Sequence, residues 1–524
     1  MSITCWPPSW PGQRGALAFA AGEYLKALEL APNEDLAERA TRVALYAEVD
    51  EVALRAAQIW VELAPQRFEA RQLLVRLALR AGNTELAYGQ SVALIRSHPQ
   101  GSGQAFRDLA RSLSGEIESG ATALALLQKL VKDYPGEAAG HYALGLLLLR
   151  QDKPDAAEVS ANTALRLAPD WGDAVLLKVT ALLRQSRLDE ANAFIANIDG
   201  DDEEMAALHM AYARLLLEAE QAEAAIKQFE AALDYESDNP EALYALGLLH
   251  LNAQNHEAAY PYLTDLYDLE SPRQSEAAYY LGGIEEHRGD FEEALEWYRR
   301  VRDGNHDMRA AQQQAYALYR LDRMDEARAL LKELRSEHRE EAMRLYMVEG
   351  ELLFQARDFK AAAALYNQAL LEYPNEPDLL YGRSLVSERL GRLTLAERDL
   401  RQLLELDPED PRSLNALGYI LSNHSQRYDE ALAYISRALA HTPDDATVID
   451  SMGWIQYRMG DLDAALRFLS EAFEKMPDPE VAAHFGEVLW QLGQRERAQS
   501  IWRDALSEEP EHPILQETIN RLTR

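Results

Sequence analysis

Chemistry needs side chains at fixed spacing, and the reactive residues of this chain lack it. His256-Glu257 are followed by Tyr260 where a second histidine would complete a zinc-binding helix face. There is no GxxxxGK[ST] loop for a nucleotide phosphate, no GxGxxG and no GxSxG nucleophile turn. Asp199-Gly200-Asp201-Asp202-Glu203-Glu204 has the charge for calcium but not the alternating ligands and closing glutamate of a calcium loop. It reads instead as an acid-rich helix start, where carboxylates complement the helix dipole. His141 and His209 fall at one position of a recurring pattern and read as packing residues. Among 87 acidic residues, paired carboxylates identify nothing. Cys5 is the single cysteine, so no internal disulfide and no multi-cysteine metal site can form. Neither an active site nor a cofactor or metal is expected.

Recognition chemistry is better represented. At fixed offsets from a recurring small residue stand Tyr279; Tyr316, Tyr319 and Arg320; Phe354; Tyr381; Asn415 and Tyr419; Trp454, Tyr457 and Arg458; and Trp490. Aromatic residues and arginine concentrate binding energy because they bury much area with few rotors. These positions predict a protein-binding groove in the C-terminal half. The same offsets in the N-terminal half give an aliphatic strip, including Tyr142, Leu146, Leu149, Leu176, Val179, Leu182, Met210, Leu217, Tyr244, Leu248 and Leu251. That strip is expected to be covered by the chain itself, since it should not be left in water.

The elements that position these residues follow from a ladder of small residues. Gly453 is followed by Ala465, Ala472 and Pro477, at steps of 12, 7 and 5. The same steps recur as Gly486, Ala498, Ala505, Pro510; Gly350, Ala362, Ala369, Pro374; and Gly145, Ala157, Ala164, Pro169. This is the signature of the tetratricopeptide repeat, a helical hairpin of about 34 residues. Glycine and the first alanine sit where two helices touch, and proline ends the second helix because it has no N–H to donate. Weaker copies extend the phase along the chain, so about fifteen hairpins are expected. The predicted fold is all-α, a right-handed superhelical solenoid of such hairpins. Residues 1–136 read as degenerate hairpins, the first incomplete, with Thr41, Leu94 and Leu130 at contact positions. Residues 137–510 read as the regular superhelix and 511–524 as a capping helix. Trp6-Pro7-Pro8 and Pro11-Gly12 are expected to forbid a helix before the one marked by Ala20, Ala27 and Pro32. Gly101-Ser102-Gly103 and Ser114 to Gly120 predict a flexible joint, Pro261 a kink, and NHSQRYDE an inter-helix turn one residue longer than usual.

Composition bounds the partners. The net charge of −34 argues against nucleic acid and against adsorption to an anionic lipid surface. No run of 18 or more apolar residues exists, so no transmembrane segment is expected. The first residues, MSITCWPPSWPGQ, lack the basic and apolar regions of a signal peptide.

The segments LNALGYIL (Leu414–Leu421), DSMGWIQYRMGDL (Asp450–Leu462) and PDPEVAAHFGEVLWQLG (Pro477–Gly493) carry a closer resemblance. With AERATRVALYA (Ala37–Ala47) and IWVELAPQRFEARQLL (Ile59–Leu74), they resemble bacterial tetratricopeptide outer-membrane lipoproteins. That family includes the binding partner of the periplasmic C-terminal processing protease. The resemblance implies a non-catalytic adaptor that presents substrates, such as cell-wall hydrolases, to a carboxyl-terminal processing serine protease. It also implies a signal peptide and a lipidated cysteine, which this sequence does not show. A longer natural N-terminus is therefore expected, placing the protein on the periplasmic face of the outer membrane. A genuine start at Met1 would make it a cytoplasmic interaction protein; an assembly factor for envelope or pilus biogenesis is the further alternative.

Overall fold

The computed structural model describes residues 11–113, 120–302 and 307–523, and every regular element among them is an α-helix. The chain divides into two compact units between Arg273 and Gln274. The first unit carries α1 (Pro11–Leu30), α2 (Glu34–Tyr46), α3 (Asp50–Leu63), α4 (Phe68–Arg80), α5 (Thr84–Ser97), α6 (Ser102–Leu113), α7 (Gly120–Asp133), α8 (Ala138–Arg150), α9 (Pro154–Leu167), α10 (Gly172–Arg184), α11 (Leu188–Ile195), α12 (Asp202–Glu218), α13 (Ala222–Tyr235), α14 (Pro240–Asn252) and α15 (His256–Asp268). The second carries α16 (Gln274–Arg288), α17 (Phe291–Arg299), α18 (Asp307–Arg320), α19 (Met324–Glu337), α20 (Ala342–Gln355), α21 (Phe359–Glu372), α22 (Pro377–Arg389), α23 (Leu393–Leu406), α24 (Pro411–His424), α25 (Tyr428–His441), α26 (Ala446–Met459), α27 (Leu462–Lys475), α28 (Pro479–Gln491), α29 (Arg495–Glu508) and α30 (Pro513–Thr523). Within each unit most successive helices pair as hairpins that pack on their neighbours, while α6 packs on α5 and α8 more than on α7.

Most glycines at the ladder position are notches for a partner sixteen residues on, whereas Gly145 receives Leu177 of the next hairpin. A β-carbon on Gly453 would stand 2.6 Å from Leu469, on Gly247 2.6 Å from Leu263, and on Gly282 2.6 Å from Tyr298. Gly350 receives Tyr366 and Gly486 receives Trp502 in the same way. Gly418 receives Ile435 instead, seventeen residues on, because the longer turn NHSQRYDE shifts α25 by one position. Ala465, Ala472, Ala498, Ala362 and Ala369 are buried, as the helix contact requires. Thr41, Leu94 and Leu130 are buried too. Thr41 satisfies its hydroxyl on the Ala37 carbonyl at 2.8 Å.

The turn between paired helices is equally repetitive. Its second-to-last residue has a left-handed backbone at Glu48, Asp152, Ser186, Glu220, Gln254, Asp322 and Arg357, and at Gly82, Gly289, Gly391, Gly460 and Gly493. That conformation lets the C-terminal amides turn back on the finished helix: Gly460 N–H bonds the Tyr457 carbonyl and Asp461 N–H the Gln456 carbonyl, each at 2.9 Å. The next residue often caps the second helix. Asp461 accepts from Ala464 N–H at 2.9 Å and Asp358 from Ala361 N–H at 3.0 Å.

α1, the helix marked by Ala20 and Ala27, takes in Pro11-Gly12 and begins at Pro11, where the missing N–H would have had no intrahelical partner; the residues before it lie outside those described. One expectation is corrected. Gly103 lies inside α6 rather than in a joint; Trp6-Pro7-Pro8 and Ser114 to Ser119 lie outside the described residues. α15 runs through Pro261, which forgoes only the bond to the Glu257 carbonyl. The acidic run at 199–204 opens α12, with Asp201 accepting from Glu204 N–H at 2.9 Å.

Candidate protein-binding groove

The first helices of the second unit present the aromatic series in two stretches of different character. From α16 to α22 the side chains touch mostly one another. Tyr279 packs against Tyr298 with ring centroids 6.0 Å apart. Phe291, Tyr316 and Tyr319 form a chain with centroid separations of 6.3 and 6.2 Å. The Arg320 guanidinium lies 4.1 Å over Phe291, and donates to the Tyr316 hydroxyl at 3.0 Å. Arg320 has no acidic partner among the described residues, although acids outnumber bases in the chain. Phe354 meets Phe359 edge-on at 5.3 Å. Both face a cleft of about 880 Å³ whose far wall is the 508–514 turn, with Arg357 and Arg389 on the near side. Tyr381 lies under Arg412, 5.4 Å from the guanidinium, and burial raises its pKa.

From α24 to α30 the same positions are consumed by internal polar contacts. Tyr419 donates to Glu480 at 2.7 Å, and Arg389 approaches the other Glu480 oxygen at 3.7 Å. Burial, reinforced by the Glu480 charge, pushes the Tyr419 hydroxyl well above its usual range. Trp454, only 6% exposed, stacks on His484 with centroids 4.1 Å apart. The His484 Nδ1 lies 2.9 and 3.1 Å from the two Asp450 oxygens. Burial works against protonation of this imidazole, but Asp450, Glu480 and Glu487 outweigh it and raise the pKa. Tyr457 donates to Glu487 at 2.8 Å, and Arg521 of α30 clamps Glu487 through two bonds of 2.6 and 2.9 Å. Burial, and then Glu487, push Tyr457 up to about 12. Arg458 donates to the Asn423 carbonyl and to the Tyr428 hydroxyl, both at 3.2 Å. Trp490 packs between Trp502 and Arg495. Asn415 is half-buried in the same stretch.

An Asp–His pair is the usual core of a general base. Here both side chains are buried and the ring is covered by Trp454, so the pair holds α26 to α28 rather than facing a substrate. No cluster of histidine, cysteine and acid able to hold a metal occurs among the described residues. No helix among them is long and apolar enough to cross a membrane.

In the first unit the aliphatic strip is largely covered: Leu149, Val179, Leu182 and Met210 are buried, and Leu217 alone is exposed. Tyr142 packs on Trp171 at 4.7 Å. His209 stacks on Tyr235 at 5.7 Å with Nδ1 2.8 Å from Gln228, and His141 reaches the Pro135 carbonyl at 3.1 Å, so both are packing residues. The sequence reading missed a second cleft of the second unit, between α19 and α21, lined by Arg328, Lys332, Arg335 and Arg339. Its signal was available as the spacing of those four cations.

Family models and a relative agree with a repeat architecture. The tetratricopeptide repeat model matches residues 118–170, 142–198, 210–269, 252–307, 313–377 and 381–446, and a second model of the same repeat matches 423–484. The chain is 33% identical over 520 residues to a TPR repeat-containing protein of Pseudomonas aeruginosa, covering 98% of this chain and 86% of the relative. Among solved structures, the Cut9–Hcn1 hetero-tetramer of the APC/C aligns with 96% of this chain and 99% of its own, at 15% identity and a TM-score of 0.34. A tetratricopeptide repeat protein of Parabacteroides merdae aligns with 54% of this chain and 99% of its own, at 19% identity and a TM-score of 0.36. On its repeats, and on a relative matched over nearly its whole length, the chain belongs to the tetratricopeptide repeat family.

Proposed function

We propose that this protein is a non-catalytic adaptor whose open stretch of groove, from α18 to α22, holds a partner polypeptide. The observation that supports this most is the contrast between the two stretches. The Phe291–Tyr316–Tyr319 chain carries Arg320, which has no acidic partner among the described residues, and the Phe354–Phe359 pair lines a cleft with Arg357 and Arg389. The corresponding residues from α24 onward are already paired by Glu480, Asp450 and Glu487. Half-buried aromatics with an arginine among them are what a partner's apolar side chains and carbonyls engage at small entropic cost. The segments shared with envelope lipoproteins support the finer assignment, to an adaptor of a periplasmic carboxyl-terminal processing serine protease. Such an adaptor raises the effective concentration of substrate at the enzyme without any chemistry of its own.

The test uses the full chain and a Tyr316→Ala/Tyr319→Ala/Phe354→Ala variant as bait in an envelope extract, with retained proteins identified by mass spectrometry. The expected result is capture of a carboxyl-terminal processing protease or its substrates by the wild type, reduced in the variant. Capture unchanged in the variant moves the site away from this stretch. Absence of the protease from both samples removes the adaptor assignment.

A further inference from the structure

The second unit has a basic face that its acidity should have erased. Arg328, Lys332 and Arg335 recur along α19 at steps of four and three, so they share one side of the helix, and Arg339 follows in the next turn. All four line a cleft of about 860 Å³ with Leu365, Tyr346 and Tyr373. Glu349, 2% exposed, is held there by Arg328 at 2.9 Å and Arg335 at 2.7 Å. Arg335 is itself laid over the Tyr346 ring, 4.3 Å from its centroid, which fixes the guanidinium before any ligand arrives. Glu372 accepts from the Tyr346 hydroxyl at 3.0 Å, and Asp325 stands at the head of the helix.

That leaves Lys332 and Arg339 without an acid among the described residues. With 87 acidic against 53 basic residues, several cations of the turns and second helices find partners. Arg187 pairs with Glu158 and Glu190, Arg323 with Glu326, Arg401 with Glu430, and Arg427 with Glu397. Here two cations face a cleft whose wall also offers apolar surface.

We propose that this cleft between α19 and α21 docks an extended acidic segment of a partner protein, its carboxylates on Lys332 and Arg339 and its apolar atoms on Tyr346, Tyr373 and Leu365. From Arg328 to Arg335 the helix rises about 10 Å, the reach of about three extended residues. A net charge of −34 repels a long polyanion as a whole. Within a screening length of about 8 Å, however, a short segment feels only the cleft. The site stands apart from the aromatic groove and does not depend on the adaptor reading.

The probe is a fluorescein-labelled hexaglutamate peptide, with hexaglutamine as its neutral control, read by fluorescence anisotropy on the full chain. Lys332→Glu/Arg339→Glu reverses the two unpaired charges, both exposed. Lys227→Glu/Lys360→Glu makes the same total charge change elsewhere, and circular dichroism checks that both variants fold. The expected result is binding of hexaglutamate over hexaglutamine by the wild type and by the second variant, weakened by about tenfold or more in the first. No binding by the wild type, or equal binding by Lys332→Glu/Arg339→Glu, overturns the proposal. So does a preference for inorganic polyphosphate over the peptide. The Tyr316→Ala/Tyr319→Ala/Phe354→Ala variant is expected to bind hexaglutamate normally; loss there would mean the groove is the site and would equally overturn it.

Discussion

Gly453 and Gly89 are both helical glycines, and they predict opposite outcomes for one substitution. A β-carbon on Gly453 meets Leu469 at 2.6 Å, so Gly453→Ala forces α26 and α27 apart and should cost roughly 1–3 kcal/mol. Gly89 has open space around it, so Gly89→Ala only removes backbone freedom and should gain about 0.5–1 kcal/mol. Thermal melts of the two variants check the pair; equal shifts would refute the notch. The buried His484 gives a signed pH dependence at the same scale. Its pKa is raised above the usual 6.5 because Asp450, Glu480 and Glu487 outweigh the burial that lowers it. A raised pKa means the stabilisation is complete below the unfolded value and is lost as pH rises through the folded one. Hydrogen exchange in α26 and α28 should therefore accelerate, beyond its intrinsic pH dependence, as pH rises above about 6.5, and His484→Gln should flatten that change. Of these contacts the ladder revealed Gly453 but not Leu469, since a notch says only that something large enters it. It also placed Trp454 facing inward without disclosing the imidazole over it, which comes from the next hairpin.

At the scale of the helical hairpin, the left-handed turn residue was the regularity least visible in the sequence. Five of the turns carry glycine there, but Glu48, Asp152, Ser186, Glu220, Gln254, Asp322 and Arg357 occupy the same backbone with no compositional mark. The backbone imposes the conformation because the turn must reverse within three residues while its amides cap the preceding helix. A side chain in that region costs about 1–2 kcal/mol. Arg357→Gly should therefore stabilise the α20–α21 hairpin by up to about 1 kcal/mol, offset in part by a more flexible unfolded chain. A lower urea midpoint for Arg357→Gly would contradict this, and would mean that Arg357, which lines the cleft facing residues 508–514, contributes a contact. Hairpin phase was legible down to the extra residue before α25, because the ladder measures the distance between helix contacts directly. The start of α1 at Pro11 was not marked by the ladder; proline can open a helix there because its N–H would not have been used.

Within each unit, strong packing links each helix to others one or two places away, as in a one-dimensional stack. Such a stack confines damage to the repeat that suffers it. Among the described residues of the second unit, Glu480 breaks that rule. Glu480 of α28 accepts from Tyr419 of α24 and pairs with Arg389 of α22, joining helices 61 and 91 residues apart in sequence. These ties cross the inner face and were invisible to a reading built on a single repeat, because they depend on how successive repeats curve. They also explain why the groove is filled from α24 onward and open before it. Glu480→Gln keeps the side-chain volume and removes the charge that both partners use. If the tie couples the repeats, hydrogen exchange in Glu480→Gln should quicken in α22 and α24 as well as in α28, and leave α2 to α5 unchanged. Quickening confined to α28 would show that the second unit behaves as a simple stack and that Glu480 is a local contact. Spread to α22 would instead make the closed stretch a cooperative block, against which the open α18–α22 groove can move to admit a partner.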